Sequence, residues 1–388
     1  MGRIAAEALV ERLVEWGVDT VFGLPGDGIN GIMEALRRHE DRLRFVLVHH
    51  EEAAAFMATG YGKATGRLGV CLATSGPGGI HLLNGLYDAK LDHVPVLAIT
   101  GMQETSVLGT GYQQEVHLER LYEDVAEYNV LVDNPTQLPG VVDLAIRTAL
   151  ARRGVAHLTL PNDVQVADAD EDPYQHVAPA RPTATAPIYL AAPGAPREED
   201  VRSAARVLNE GRKVAILAGV GALHARSEVL AVAEVLGAPV IKTLPGKAVI
   251  PDDSPYAVGG IGLLGTRPGE DLVEDCDTLL MVGTNFPYAE FLPKEGQARG
   301  VQIDVDGRKL GLRYPTEINL VGDSKLTLQA LLPLLAQKTD RSWRDGIEKN
   351  VKRWWEVLHA RAMNEADPIN PQRVYWELSP RLPDNCIL

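Results

Sequence analysis

The sequence predicts an α/β protein, with two doubly wound parallel-sheet domains and a C-terminal helical stub. Three observations carry this expectation. Short, near-continuously apolar runs recur along the chain, the pattern of strands covered on both faces. Helical stretches separate them, so successive strands run parallel. The pattern lapses once, over the Pro-, Ala- and Asp-rich residues 167–197, and then restarts. That stretch has no sustained period and reads as an extended linker. The expected divisions are 1–166, 167–197, 198–337 and 338–388.

The elements follow in order. Residues 5–16 have helical apolar spacing and stop at Gly17. "TVFGLPG" (20–26) is a short strand running into a Gly/Pro turn. "RFVLV", "GVCLAT", "VPVLAIT", "NVLV" and "VAHLTL" read as further buried strands. In the second half, "KVAILAG", "APVIKT", "TLLMVGT", "VQIDVD" and "INLVGD" read as strands, with helices such as "HARSEVLAVAEVLG" between them. Two helical stretches flank the turn "DPINP", and the terminal "CIL" reads as the start of another buried strand. Right-handed crossovers put all strand C-termini of a sheet on one edge, where ligands bind.

Composition narrows the function. The chain has 388 residues and 45% hydrophobic content, enough for two or three domains with their own cores. A formal net charge of −14 argues against a nucleic-acid binder, which needs a basic patch. Cys71, Cys276 and Cys386 are too few and too scattered for a disulfide framework or a zinc site, and they suit a reducing cytoplasm. No apolar run reaches membrane-spanning length, and the N-terminus reads as an amphipathic helix instead of a signal peptide.

Three stretches carry chemistry. In "FVLVHHEEAAAF" (45–56) two carboxylates follow an apolar strand. Both Glu51 and Glu52 could simply favour the positive end of a helix dipole. Glu51, however, lies where a parallel strand ends and can face the ligand edge. A carboxyl in low dielectric holds a proton more readily and can share it with a ligand nitrogen. Adjacent helical residues point about 100° apart, so only one of the pair faces inward. His49 and His50 lack the i, i+4 spacing of a helical metal pair, which argues against a metal there. "TSGPGG" (74–79) is a strand-to-helix turn where backbone N–H groups can approach a ligand, or only a tight turn. "LPGDGIN" (24–30) is another ligand-edge loop, and its Gly-Asp-Gly lacks the later Asn of a metal–diphosphate motif.

Together "LPGDGINGIMEAL", "HEEAAAFMATGYGKATG", "TSGPGGIHLLNGLYDAKLDHVPVLAITG" and "GYQQEVHLERL" resemble the pyrimidine-binding domain of thiamine-diphosphate enzymes. The pyruvate oxidase branch, with its quinone-linked pyruvate dehydrogenases, is the nearest in pattern, and acetolactate synthases are similar. "GLLGTRPG", "VGTNFPYAEF", "VQIDVD" and "LVGDSKLTLQALLPLL" resemble that branch's central FAD-binding domain.

The resemblance implies roles. Glu51 matches the glutamate that hydrogen-bonds N1′ of the aminopyrimidine and promotes its imino tautomer, and Glu52 becomes a helix-end residue. Pro25, Gly26, Thr74, Gly78 and Asn84 fall near the pyrimidine or a subunit contact. Gln114 matches the Gln of an "FQE" motif, with Gln113 where the family places an aromatic. The flavin-like positions are Gly219, Gly221, Lys247, Gly262, Leu263, Leu264, Gly265, Gly283, Thr284, Asn285, Phe286, Pro287, Asp304 and Asp323. A vestigial central domain without flavin is the alternative. The implied reaction is oxidative decarboxylation of pyruvate or a related 2-keto acid with thiamine diphosphate, FAD and Mg2+, in a cytoplasmic homodimer or homotetramer. An acetolactate synthase-like carboligase, or a non-catalytic scaffold or assembly subunit, are the other readings. In the family a third domain grips the diphosphate through Mg2+. The sequence stops at "PDNCIL", where that domain is expected to begin. The resemblance thus implies a truncated chain, inactive alone, or a subunit whose partner supplies the metal ligands.

Overall fold

The structure is a computed structural model that describes residues 2–169, 194–383 and 386. The chain forms two compact units, Met1–Ala191 and Ala192–Leu388. Most of the expected linker, residues 170–193, lies outside the described residues, as do 387 and 388 of the terminal "CIL".

The first unit holds a six-stranded parallel sheet of β1 (Thr20–Gly23), β2 (Arg44–Leu47), β3 (Gly69–Ala73), β4 (Val96–Met102), β5 (Ala126–Leu131) and β6 (Val155–Pro161). The order across the sheet is β2-β1-β3-β4-β6-β5. Alternation along each strand builds two cores. Leu97 and Ile99 of β4 join Leu9, Leu13, Ile32 and Ile146 on one face. Val96 and Ala98 join Ala55, Ala58, Leu82 and Leu86 on the other. Period-two side-chain direction makes these opposite faces of a doubly wound sheet.

The second unit repeats the principle with β7 (Val214–Ala218), β8 (Val240–Lys242), β9 (Ala257–Gly260), β10 (Thr278–Val282), β11 (Arg299–Asp304) and β12 (Ile318–Val321). Their order is β12-β11-β10-β7-β8-β9, all parallel. Counted from β7 this is the 3-2-1-4-5-6 order of dinucleotide-binding sheets. Val214, Ile216 and Ala218 face one core, and Ala215 and Leu217 face the other. The helices Ser342–Ala362 and Pro371–Leu378 follow the sheet.

Three expectations are corrected. β2 is not buried: it is the sheet's edge strand, and Leu47 is 59% exposed. Apolar residues at an edge have one neighbour instead of two, so an apolar run alone overstates burial. The strand over Asn129–Val132 begins earlier, at Ala126, and forms the opposite edge. β9 was not expected. "AVGG" offers no β-branched run, and its two glycines read as a turn. Gly259 has φ +116, and a Cβ there would meet the Thr266 hydroxyl at 2.6 Å. Close packing therefore selects glycine in that strand.

A buried polar chain crosses three strands of the first unit. His157 on β6 is fully buried, with Nδ1 at 2.8 Å from Asn129 Oδ1 and Nε2 at 2.8 Å from Thr100 Oγ1. Tyr122 stacks on its ring at 3.8 Å, and the Tyr122 hydroxyl donates to Gly79 O at 2.6 Å. Burial pushes the imidazole down from 6.5 to about 3, so it stays neutral in the fold. The unfolded chain then binds one more proton than the folded one across that window. Stability should fall as the pH drops from 6.5 toward 3, by about 1.4 kcal/mol per pH unit. Urea unfolding at stepped pH checks this. His157→Gln should flatten the slope, and an unchanged slope in that variant would refute the assignment.

Candidate functional site

Winding direction reverses in the first sheet between β1 and β3, because β2 lies to one side of β1 and β3 with β4 to the other. The loops leaving β1 and β3 meet there. A Cβ on Gly26 would lie 2.6 Å from Thr74 Cβ, and one on Gly28 would lie 2.7 Å from Ser75 Oγ. The Gly28 N–H donates to Thr74 Oγ1 at 3.1 Å. Glycine is required because the two loops share one narrow space. This reversal is the crevice where open α/β sheets bind ligands.

Glu51 opens the helix Glu51–Thr65 at this crevice and is 7% exposed. Its Oε2 accepts from His81 Nδ1 at 2.8 Å. Its Oε1 faces Gly78, where a Cβ would stand 3.5 Å away. His81 comes from the next helix, Pro77–Leu91, which begins after Gly76 at φ +59. Thus one carboxylate oxygen is held by an imidazole and the other looks onto bare backbone. Glu52 points elsewhere: its Oε1 accepts from Asn84 Nδ2 at 2.5 Å on the exposed side. The division of labour between the two glutamates follows from helical geometry.

Gln114 stands at φ +61, a left-handed conformation costly for a non-glycine residue. Its backbone packs against Gly76, where a Cβ would meet Gln114 O at 2.8 Å. Ser75 Oγ donates to Gln114 Oε1 at 3.3 Å and accepts from Gln103 Nε2 at 3.3 Å. Glu115 clasps the same loop through the N–H groups of Gly109, Gly111 and Tyr112. Those backbone donors, Gly109 first, hold its carboxyl below the ordinary value.

The structure thus brings Gly26, Thr74, Gly78, Glu51 and Gln114 to one crevice. Pro25 is exposed at its rim, and Asn84 is exposed and tied to Glu52. Sequence reasoning missed His81, Ser75 and Gln103. His81 sits in plain view inside "GPGGIHLL", but only the pairing of two helices puts it on Glu51.

In the second unit the reversal lies between β7 and β10. A Cβ on Gly219 would lie 2.5 Å from both Gly283 O and Thr284 Cβ, and one on Gly221 would lie 2.8 Å from Gly283 Cα. Gly283 itself has φ +58. Asn285 follows, and its Oδ1 is buried without a hydrogen-bond partner. Phe286 is buried beside Gly262, whose added Cβ would meet the ring at 2.9 Å. Leu263 and Leu264 are each 78% exposed on the turn closed by Gly265, and Pro287 is exposed.

Other expected residues have partners within the fold. Lys247 pairs with Asp252, which also binds the buried Lys242 at 2.6 Å. Burial alone would raise the Asp252 carboxyl, but the two lysines hold it below its ordinary value. Asp323 caps the helix Ser324–Leu331 by accepting from the Leu326 N–H at 3.0 Å. Asp304, 8% exposed at the end of β11, accepts from the Asp306 N–H at 2.9 Å. Lys242, Thr243, Gly260, Leu264, Trp354 and Trp355 are among the residues lining a cavity of about 310 Å³ beside this loop cluster.

Comparison with known proteins bears on both units. Residues 3–121 match the model of the thiamine pyrophosphate enzyme N-terminal TPP binding domain, and residues 201–331 match that family's central domain. The chain is 39% identical over 386 residues to a putative thiamine pyrophosphate-containing protein, YdaP, of Bacillus subtilis, covering 100% of this chain and 65% of that protein. It is 36% identical to a pyruvate oxidase of Lactiplantibacillus plantarum, over 96% of this chain and 60% of the oxidase. It is 30% identical to a probable acetolactate synthase large subunit of Methanococcus aeolicus, over 96% and 63%. The chain therefore spans less than two thirds of the length of these three relatives.

Two glycines separate crevice packing from ordinary helix propensity. Gly26→Ala should cost about 1–3 kcal/mol by forcing the two loops apart. Gly60→Ala, with nothing within 4 Å of an added Cβ, should stabilise its helix by about 0.5–1 kcal/mol. Urea midpoints of the two variants check the contrast, and equal shifts would contradict it.

Proposed function

The chain belongs to the thiamine pyrophosphate enzyme family, and on that premise we propose that it serves the oxidative decarboxylation of pyruvate or a related 2-keto acid. The observation that carries this reading is the buried Glu51 carboxyl at the winding reversal, with one oxygen toward Gly78. The residues fit an aminopyrimidine. Gly26, Gly28 and Gly78 let the loops close around Thr74 and Ser75 beside Glu51, and Glu51 offers a carboxyl able to share a proton with a ring nitrogen. When bound, thiamine diphosphate supplies the electron sink for the carbon left behind as CO2 departs. Glu51 holds and returns a proton at its Oε1, His81 fixes the carboxyl through Oε2, and Gln114 lies across the crevice on a loop clasped by Glu115. No Mg2+ ligand is assigned among the described residues of this chain.

FAD is part of the same reading. The β7–β10 reversal and the unpartnered buried Oδ1 of Asn285 suit a dinucleotide that presents hydrogen-bond donors. A flavin there supplies a two-electron acceptor. Lys247 lines the cavity beside this loop cluster while pairing with Asp252, and Asp323 caps a neighbouring helix. A homodimer or homotetramer is supported by Phe56, Met57 and Ile80, exposed at 41%, 40% and 43% on the two helices that carry Glu51 and His81.

A second reading is carboligation of 2-keto acids. It is favoured by the similarity to the probable acetolactate synthase large subunit. Product analysis separates the two. The protein, given pyruvate, thiamine diphosphate, Mg2+, FAD, inorganic phosphate and an electron acceptor such as oxygen or a quinone, should release CO2, reduce that acceptor by two electrons and yield acetate or, with phosphate, acetyl phosphate. Accumulation of acetolactate instead would establish the second reading. Glu51→Gln should lower CO2 release by about 10²- to 10⁴-fold with an unchanged circular dichroism spectrum. Full activity in that variant would overturn both readings.

A further inference from the structure

Three potential ligand groups converge at the mouth of the crevice. His50, Glu51 and His81 each offer one donor atom, and the three atoms lie within 4.8 Å of one another. Glu51 is buried, while the side chains of His50 and His81 are 52% and 41% exposed. The two imidazole rings stack with centroids 4.5 Å apart. His50 precedes the Glu51 helix and uses Nδ1 to accept from the Glu52 N–H at 3.3 Å, which leaves its Nε2 for another partner. His81 reaches across from the next helix. No i, i+4 spacing is needed, because the donors come from two helices packed side by side.

We propose that His50, Glu51 and His81 form an open binding site for a single borderline transition-metal ion, with Zn2+ the best match, and that filling it ties up the Glu51 carboxyl. Two imidazoles and a carboxylate are the donor set of three-ligand zinc sites that keep a fourth position for water. The same set suits Cu2+ and Ni2+ and is poorly suited to Mg2+ or Ca2+, which take oxygen ligands. With bonds of about 2.1 Å, tetrahedral donors stand roughly 3.4 Å apart, so His50 must close inward by rotation while His81 Nδ1, now 2.8 Å from Glu51 Oε2, gives way outward. The ion takes the place of the proton between His81 Nδ1 and Glu51 Oε2, and that proton leaves to solvent. The positive end of the Glu51 helix opposes the cation. Preformed convergence and the carboxylate charge favour it, so the site is a moderate-affinity one, filled reversibly.

Binding itself does not depend on the function proposed above, whereas its inhibitory consequence rests on that reading. Zn2+ titrated into the protein by calorimetry, and Co2+ followed by its visible absorption, should show one ion per chain at this site. His50→Ala, His81→Ala and Glu51→Gln should each weaken binding at least about tenfold. His224→Ala, an exposed histidine in the second unit, should leave it unchanged. Circular dichroism confirms that the variants fold. Equal binding in the wild type, His50→Ala and His81→Ala would overturn the site, as would no saturable binding in the wild type. Should Zn2+ bind as described while Glu51→Gln retains full decarboxylation, the catalytic reading fails and the metal site stands.

Discussion

In a parallel sheet wound both ways from one strand, the loops on either side of the reversal diverge to opposite faces, and a gap opens between them. That constraint organises both units. In the first, the reversal lies between β1 and β3, and in the second between β7 and β10. Each gap is narrowed until only glycine fits. Gly26 and Gly28 press on Thr74 and Ser75, and Gly219 and Gly221 press on Gly283 and Thr284. The crevice is therefore not a loop decoration. It is where the topology brings two loops together, and the glycines let them pack at van der Waals distance.

Into this gap the first unit directs a carboxyl that would be costly to bury unaided. Glu51 is tolerated there because His81 hydrogen-bonds one of its oxygens and because it begins a helix, where the dipole favours negative charge. Its neighbour Glu52, one residue on, reaches Asn84 at the surface. The second unit places no acid at the equivalent point. Asn285 and Thr284 follow its reversal.

Much of this was legible in the sequence. The near-continuous apolar runs marked eleven of the twelve strands among the described residues, and the Gly-rich turns 24–30 and 74–79 marked the loops that meet at the first reversal. What escaped was whatever depends on contacts distant in the chain. The edge position of β2 is set by pairing order, which an apolar run does not encode. The Ala257–Gly260 strand hides its identity because close packing against Thr266 selects glycine over strand formers. His81 could not be assigned to Glu51, thirty residues earlier, before the helices Glu51–Thr65 and Pro77–Leu91 were known to lie together. Nor could the sequence show that Asp323 and Lys247 also have partners within the fold. Asp323 caps a helix and Lys247 pairs with Asp252.

The buried polar chain across β5, β6 and β4 runs in one sense only. Asn129 gives its amide hydrogen to Glu119 O, so its Oδ1 faces His157 and can only accept. The His157 Nδ1 must then carry the ring hydrogen, and Nε2 must accept from the Thr100 hydroxyl. The tautomer is dictated by an amide on a neighbouring strand. Aspartate at position 129 would lose the hydrogen bond to Glu119 O and, by setting a carboxylate against the ring, would favour imidazolium, converting a neutral strut between strands into a buried ion pair.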